Sequence, residues 1–343
     1  MINIASLKSE RQIRLLLSLA LVALLVFTLA ACGSDDDGDD NESAATGDTP
    51  AATTTAADAT AIQSNVDNSK TTLTIGSKNF TEQKVLGEVY AQALGAAGYT
   101  IRTELNLGDE KTALKTLEGG DISAYPEYTG TALVSFFDVK AADLPKDPES
   151  AFEQVKEGFA KDDLVALPPT PFTSSNEVAV TKATADKYDL EEISDLEDVA
   201  KDLTLYGSPE CRQRLDCLLG LQQTYGLKFK KFVPVDLSQR STVLSGGQAD
   251  VSIVFTTDPQ NTREGFVLLE DDKQMFPPYN STLVVRKDVY DKAGPDLPKT
   301  IEAVNAQLTN QNIQELNARV DLDKDTPKQA AEAFLKQFGF IAQ

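Results

Sequence analysis

The chain has 343 residues, with 53 Asp and Glu against 32 Lys and Arg, a formal net charge of −21, no histidine and no tryptophan. So acidic a balance excludes nucleic acid as a partner, because neutralising phosphates needs a basic surface. The missing histidine removes Ser-His-Asp and Cys-His catalysis and leaves no imidazole to complete a two-cysteine metal site.

The N-terminus reads as an export signal over residues 1–31. Lys8, Arg11 and Arg14 are followed by an apolar run, Leu15 to Phe27, interrupted only by Ser18, and then by "LAAC". A cysteine directly after small residues is a lipobox, so Cys32 is expected to carry the lipid that anchors the protein to the outer face of the cell membrane. A single transmembrane anchor is the rival, but the apolar run is short for a span of about 20 residues. Residues 32–71 follow as an acidic Gly, Thr and Ala rich stretch with few large apolar side chains, read as a disordered tether. Its aspartates lack the spacing of a calcium loop.

From Thr71 onward the chain is long enough for two lobes. "TLTIGS" alternates apolar and polar residues as a first strand, and "SKNFTEQ" leads into a helix with Thr81 as N-cap, ended near Gly95 and Gly98. "TIRTELNL" repeats at period two as a second strand, "DEKTALKTLEGG" is a short helix stopped at Gly119 and Gly120, and "DISAY" is a third strand with "YPEYTGT" at its carboxyl end. The acidic run Asp186 to Asp202 reads as a solvated helix. "TIEAVNAQL" and "TPKQAAEAFLKQF" read as two C-terminal amphipathic helices. An internal echo links "TLEGGDISAY" with "VLSGGQADVSIVF", and "TLTIGS" with "DLTLYGS". It suggests two α/β lobes of similar build, each delivering residues from strand ends to a shared cleft.

Several residues carry binding chemistry. Lys78 follows the first strand beside a helix start, where an anion gains from charge and backbone N–H donors; an exposed loop lysine is the plainer reading. Arg214 offers a planar fork for a carboxylate or, more simply, a surface ion pair. Tyr128 and Tyr279 lie beside prolines, which favours exposed ring faces, although tyrosines in such runs also pack. Ring faces suit a quaternary ammonium, which has no N–H to donate. Cys211 and Cys217, with five residues between them in an exported chain, are expected to form a disulfide. No Gly-rich phosphate loop occurs, and no catalytic residue, cofactor or metal is expected; Lys and carboxylates alone would serve only some reactions.

Taken in order, "GSKNFTEQKVLGE", "GGDISAYPEYTGTAL", "YGSPECRQRLDC", "ADVSIVFTTDPQ" and "LLEDDKQMFPPYNSTLVVR" resemble the glycine betaine/choline-type substrate-binding proteins of osmoprotectant ABC importers. The resemblance implies an α/β, two-lobed periplasmic-binding-protein fold of type II, closing on a solute in a cleft between the lobes. Lobe I would comprise residues 72–173 and 280–343, and lobe II residues 174–279, with hinges near Thr173 and Pro277. Tyr128 and Tyr279 fall on positions of an aromatic cage; Lys78, Thr131 and Arg214 fall on carboxylate-binding positions. Asn176 and Phe255 stand where the family usually has tyrosine, so Phe255 keeps a ring and Asn176 does not. Tyr128 should therefore face a ligand, and Tyr125 should pack. The implied role is a non-enzymatic, extracytoplasmic binding protein delivering a quaternary amine or zwitterion (glycine betaine, choline or carnitine) to permease subunits. The alternatives are the same role for another zwitterion, or a surface lipoprotein that binds a protein or cell-wall partner.

Overall fold

The computed structural model describes residues 61–343. The expected signal sequence, Cys32 and the expected tether up to residue 60 lie outside the described residues. Residues 61–71, assigned to the tether by composition, are tied to the globular body. Ile62 N–H donates to Phe340 O at 3.1 Å, and Val66–Lys70 form a 3-10 turn. The buried Asn68 donates to Ala97 O at 2.8 Å and to Asp296 Oδ2 at 3.1 Å. Polar side chains that hydrogen-bond specifically order this stretch, whereas composition scores only its lack of apolar area.

The first half of the chain runs β1 (Thr72–Gly76), α1 (Thr81–Ala96), β2 (Thr100–Glu104), α2 (Glu110–Glu118), β3 (Ala124–Tyr128), α3 (Thr129–Ser135), α4 (Pro148–Ala160) and β4 (Leu164–Ala166). The second half runs β5 (Asn176–Val180), α5 (Lys182–Tyr188), β6 (Thr204–Gly207), α6 (Leu218–Thr224), β7 (Lys231–Pro234), α7 (Arg240–Ser245), β8 (Val251–Phe255), α8 (Pro259–Glu264) and β9 (Val267–Leu269). The chain then returns through β10 (Ser281–Arg286) and closes with α9 (Lys287–Ala293), α10 (Asp296–Asn305), α11 (Asn310–Asp321) and α12 (Pro327–Gln337). Two five-stranded sheets result, ordered β2-β1-β3-β10-β4 and β7-β6-β8-β5-β9.

These two orders are one topology written twice. In each sheet three parallel strands come first, and a strand arriving from the other half pairs antiparallel beside the third. The sequence echo falls on equivalent elements, α2–β3 and α7–β8. Both glycine pairs terminate their helices, and the second glycine of each takes a left-handed conformation, φ +84° at Gly120 and φ +70° at Gly247. Only glycine adopts that conformation without a Cβ penalty. The result is a two-lobed α/β fold with separate apolar cores under each sheet. In the first, α1 buries Val85, Leu86, Val89, Tyr90, Ala93 and Leu94 along one stripe.

Three sequence expectations about these elements need correction, and one helix lies where none was expected. Thr81 is the first residue of α1 rather than its cap; Phe80 holds the cap position, and the Thr81 hydroxyl donates to Asp321 Oδ1 at 2.6 Å. "AYPEY" is itself the third strand, fully buried, while "DIS" precedes it. The ladder to β1 ends at Ala124, so Pro126 breaks no bond on that side. The acidic run 186–202 is not one helix: Asp189, at φ 56°, ends α5, and two 3-10 turns follow. Finally, α11 is a helix whose narrow apolar stripe, Ile313 and Leu316, gives little periodic signal in a polar segment.

The passages between the sheets run side by side. Thr173 and Asn280 form an antiparallel bridge, Ser174 N–H donates to Tyr279 O at 3.1 Å, and Tyr279 N–H donates to Thr173 Oγ1 at 3.1 Å. This pairing sets Tyr279 at the junction of the lobes.

Candidate functional site

A cavity of about 310 Å³ opens between the lobes, beyond the carboxyl ends of β1, β3, β6 and β8. Its wall contains all seven residues singled out from the sequence: Lys78, Tyr128, Thr131, Asn176, Arg214, Phe255 and Tyr279. The first three come from the first sheet and its helices, the next three from the second, and Tyr279 from the passage between them.

The tyrosines around Pro126 divide their tasks. Tyr125 is fully buried and donates its hydroxyl to Glu127 Oε2 at 2.9 Å. Tyr128 lines the cavity, with its hydroxyl on Glu82 Oε1 at 2.6 Å. Burial first, and then the Glu82 carboxylate, raise the Tyr128 hydroxyl well above an ordinary phenol, so it stays a donor. Glu82 is held in turn by Asn317, whose amide reaches Glu82 Oε2 at 2.8 Å and Thr257 O of the other lobe at 3.2 Å.

Lys78 is 4% exposed and pairs with the wholly buried Glu127; its ammonium lies 4.7 Å from the Tyr128 ring centroid. Its charge is thus matched inside the protein, and Glu127 also accepts the Tyr128 backbone N–H at 2.7 Å. Arg214 sits in the loop closed by the Cys211–Cys217 disulfide, with Cα atoms 5.0 Å apart. Its Nε donates to Asp216 Oδ1 at 2.8 Å, one terminal nitrogen pairs with Asp216 Oδ2, and the other reaches Glu110 Oε1 at 3.0 Å. Asp216 is the hub of this end, since Tyr279 donates its hydroxyl to Oδ2 and the Asn176 amide donates to the Asp216 carbonyl at 2.9 Å. Burial, followed by Asp216, keeps the Tyr279 hydroxyl protonated far above the usual range.

At the aromatic end, Phe255 packs on Phe80 with centroids 5.2 Å apart, and Phe80 lies 6.2 Å from Tyr128 at 21° between planes. The Arg240 guanidinium covers Phe255 at 4.1 Å and is fixed by Asp258. Gly130 completes this wall by omission, because a Cβ there would meet the Tyr279 ring at 2.6 Å.

Sequence reasoning missed Phe80, Glu110, Asp216 and Glu82. Phe80 had a signal, an aromatic ring immediately before a helix start in "SKNFTEQ". The three acids had none, because carboxylates are too common in this chain for any one to stand out.

A family model described as the substrate binding domain of ABC-type glycine betaine transport systems matches residues 71–337. A glycine-betaine-binding protein of Pseudomonas aeruginosa is 31% identical over 277 residues, 78% of this chain and 88% of that protein. A carnitine transport binding protein of Listeria monocytogenes is 28% identical, over 80% of this chain and 89% of its own. A solved glycine betaine/carnitine/choline ABC transporter structure superposes with a TM-score of 0.63 at 26% identity, over 78% of this chain and 99% of that one.

Proposed function

Because the chain belongs to the substrate-binding domain family of ABC-type glycine betaine transport systems, we propose that it captures a small quaternary amine of the glycine betaine, choline and carnitine class in the interlobe cavity and delivers it to its permease. The observation that carries this reading is the convergence of Tyr128, Phe255 and Tyr279 with Lys78, Thr131 and Arg214 on one cavity, from both lobes. Rings at one end suit the ammonium, each contact being worth about 0.5–2 kcal/mol. Lys78, Thr131, Asn176 and Arg214 receive the polar end of the solute. The protein side is a binding device, with no group assigned to bond breaking.

The two groups of wall residues belong to different lobes, so a bound solute ties residues 72–173 and 280–343 to residues 174–279. Occupancy thereby stabilises the closed arrangement, the form a permease can distinguish from the empty one. The protein acts outside the cytoplasm, held to the membrane by lipid on Cys32.

Titration calorimetry with glycine betaine, choline and carnitine tests the reading. At least one should bind, and Tyr128→Ala and Tyr279→Ala should each weaken it by about two- to thirtyfold, the range that ring contacts of this size correspond to. Binding indifferent to both changes overturns the cage assignment. Small-angle scattering should show a smaller radius of gyration at saturating ligand.

A further inference from the structure

Glu110 is the first residue of α2, where an acidic side chain ordinarily sits in solvent and favours the helix dipole. Here it is only 6% exposed and its side chain faces the cavity wall. Ser135 donates to Oε1 at 3.1 Å and Arg214 donates to the same oxygen at 3.0 Å. Neither contact uses Oε2. The ion pair also crosses between the lobes, from α2 of the first to the disulfide loop of the second.

We propose that Glu110 determines ligand specificity in this cavity: it keeps a ligand carboxylate away from Arg214 and selects quaternary amines whose far end is a neutral hydrogen-bond donor, such as a hydroxyl or an amide. The inference rests on the cavity being the solute site argued above, and it specifies which member of that class fits.

The argument is a count of charges and donors at one guanidinium. Arg214 holds two carboxylates already, Asp216 through Nε and one terminal nitrogen, and Glu110 through the other. That cluster carries a net negative charge before any ligand arrives. A third carboxylate on the same fork would be brought, desolvated, against two like charges, which disfavours it. Lys78 does not relieve this, because Glu127 neutralises it from a fully buried position. Lys78 and Arg214 are the cationic side chains on the wall, while Asp109, Glu110, Glu210 and Asp236 all line it as carboxylates. A hydroxyl or amide N–H reverses the sign of the encounter. It donates to Glu110 Oε2, the oxygen those two hydrogen bonds leave unused, and needs no displacement of the Arg214 pairs.

The test uses two probes of nearly equal shape, glycine betaine and its carboxamide, with choline as a third, titrated calorimetrically into wild type and Glu110→Gln at pH 7. Gln keeps a carbonyl oxygen for Ser135 and Arg214 and removes the charge. Wild type should bind the carboxamide and choline at least tenfold more tightly than glycine betaine. Glu110→Gln should move the ratio by at least tenfold toward glycine betaine, with a melting temperature confirming that it is folded. Preference of wild type for glycine betaine over its carboxamide overturns the proposal and needs no variant. So does a ratio that Glu110→Gln leaves unchanged. If none of the three probes binds wild type, the solute-site reading falls and this proposal falls with it. If all bind but Tyr279→Ala does not weaken them, the cavity is not the solute site and this proposal falls with that reading.

Discussion

Replacing Lys78 by Met tests the electrostatics of the cavity wall most directly. Lys78 is 4% exposed and its partner Glu127 is 0% exposed, so the pair is shielded from solvent on both sides. Met retains most of the aliphatic stem, which keeps the packing term small and isolates the charge. Breaking a buried pair by removing one member costs about 3–5 kcal/mol, because the remaining ion has lost both water and its counter-charge. Glu127 still accepts from the Tyr125 hydroxyl and the Tyr128 N–H, and these donors place the expected loss at the lower end, about 3 kcal/mol. At about 2–4 °C per kcal/mol, the melting temperature should fall by about 6–12 °C in a calorimetric scan at pH 7. The double variant Lys78→Met/Glu127→Gln removes the orphaned charge and should regain more than half of that loss. A single variant that melts within about 2 °C of wild type, or a double variant no better than the single, would refute the claim that Glu127 depends on Lys78.

Three further outcomes follow from single sites. Gly130→Ala places a Cβ 2.6 Å from the Tyr279 ring, so the ring must move; solute affinity should fall at least tenfold by calorimetry while the protein remains folded. Replacing Cys211 and Cys217 together by serine should cost about 2 kcal/mol in denaturant unfolding. It should also weaken solute binding, since Arg214 lies within the closed loop. Glu177 is pushed up to about 7 by burial, opposed by the Val178 N–H and reinforced by Asp271. The folded protein therefore holds this proton more tightly than the unfolded chain does. The stability it contributes is complete below about pH 4.5 and is lost as pH rises through 7. Unfolding free energies at pH 5 and pH 8 should show that decline in wild type, and Glu177→Gln should reduce it; an unchanged slope rejects the assignment.

The lobes were legible because they are local and repeated. Alternation in "TLTIGS" and "DLTLYGS" marks β1 and β6, and the two Gly-Gly stops mark the ends of α2 and α7, where left-handed φ values leave glycine as the residue without strain. Elements without a periodic apolar stripe were harder. The acidic run 186–202 is broken by Asp189 in a left-handed turn, which one aspartate among many does not announce. The polar helix α11 shows itself through tertiary contacts, such as Asn317 bridging Glu82 and Thr257 O.

The site divides along the same line. Chemistry carried by a residue's own type, such as a ring face, a guanidinium fork or an ammonium, can be read one position at a time, and the structure gathers those residues on one wall. The state of that chemistry depends on partners distant in sequence: Glu127 is 49 positions from Lys78, Glu82 is 46 from Tyr128, and Glu110 is 104 from Arg214. The duplicated topology explains why the last of these falls between lobes. Each half points its strand ends at the same gap, so a charge delivered by one half meets its counter-charge from the other. The cation most exposed to a ligand is therefore also the one whose pairing depends on how the lobes are placed. A solute carboxylate that took Arg214 from Glu110 would break an ion pair between the two halves, whereas a donor accepted by Glu110 would leave that pair in place.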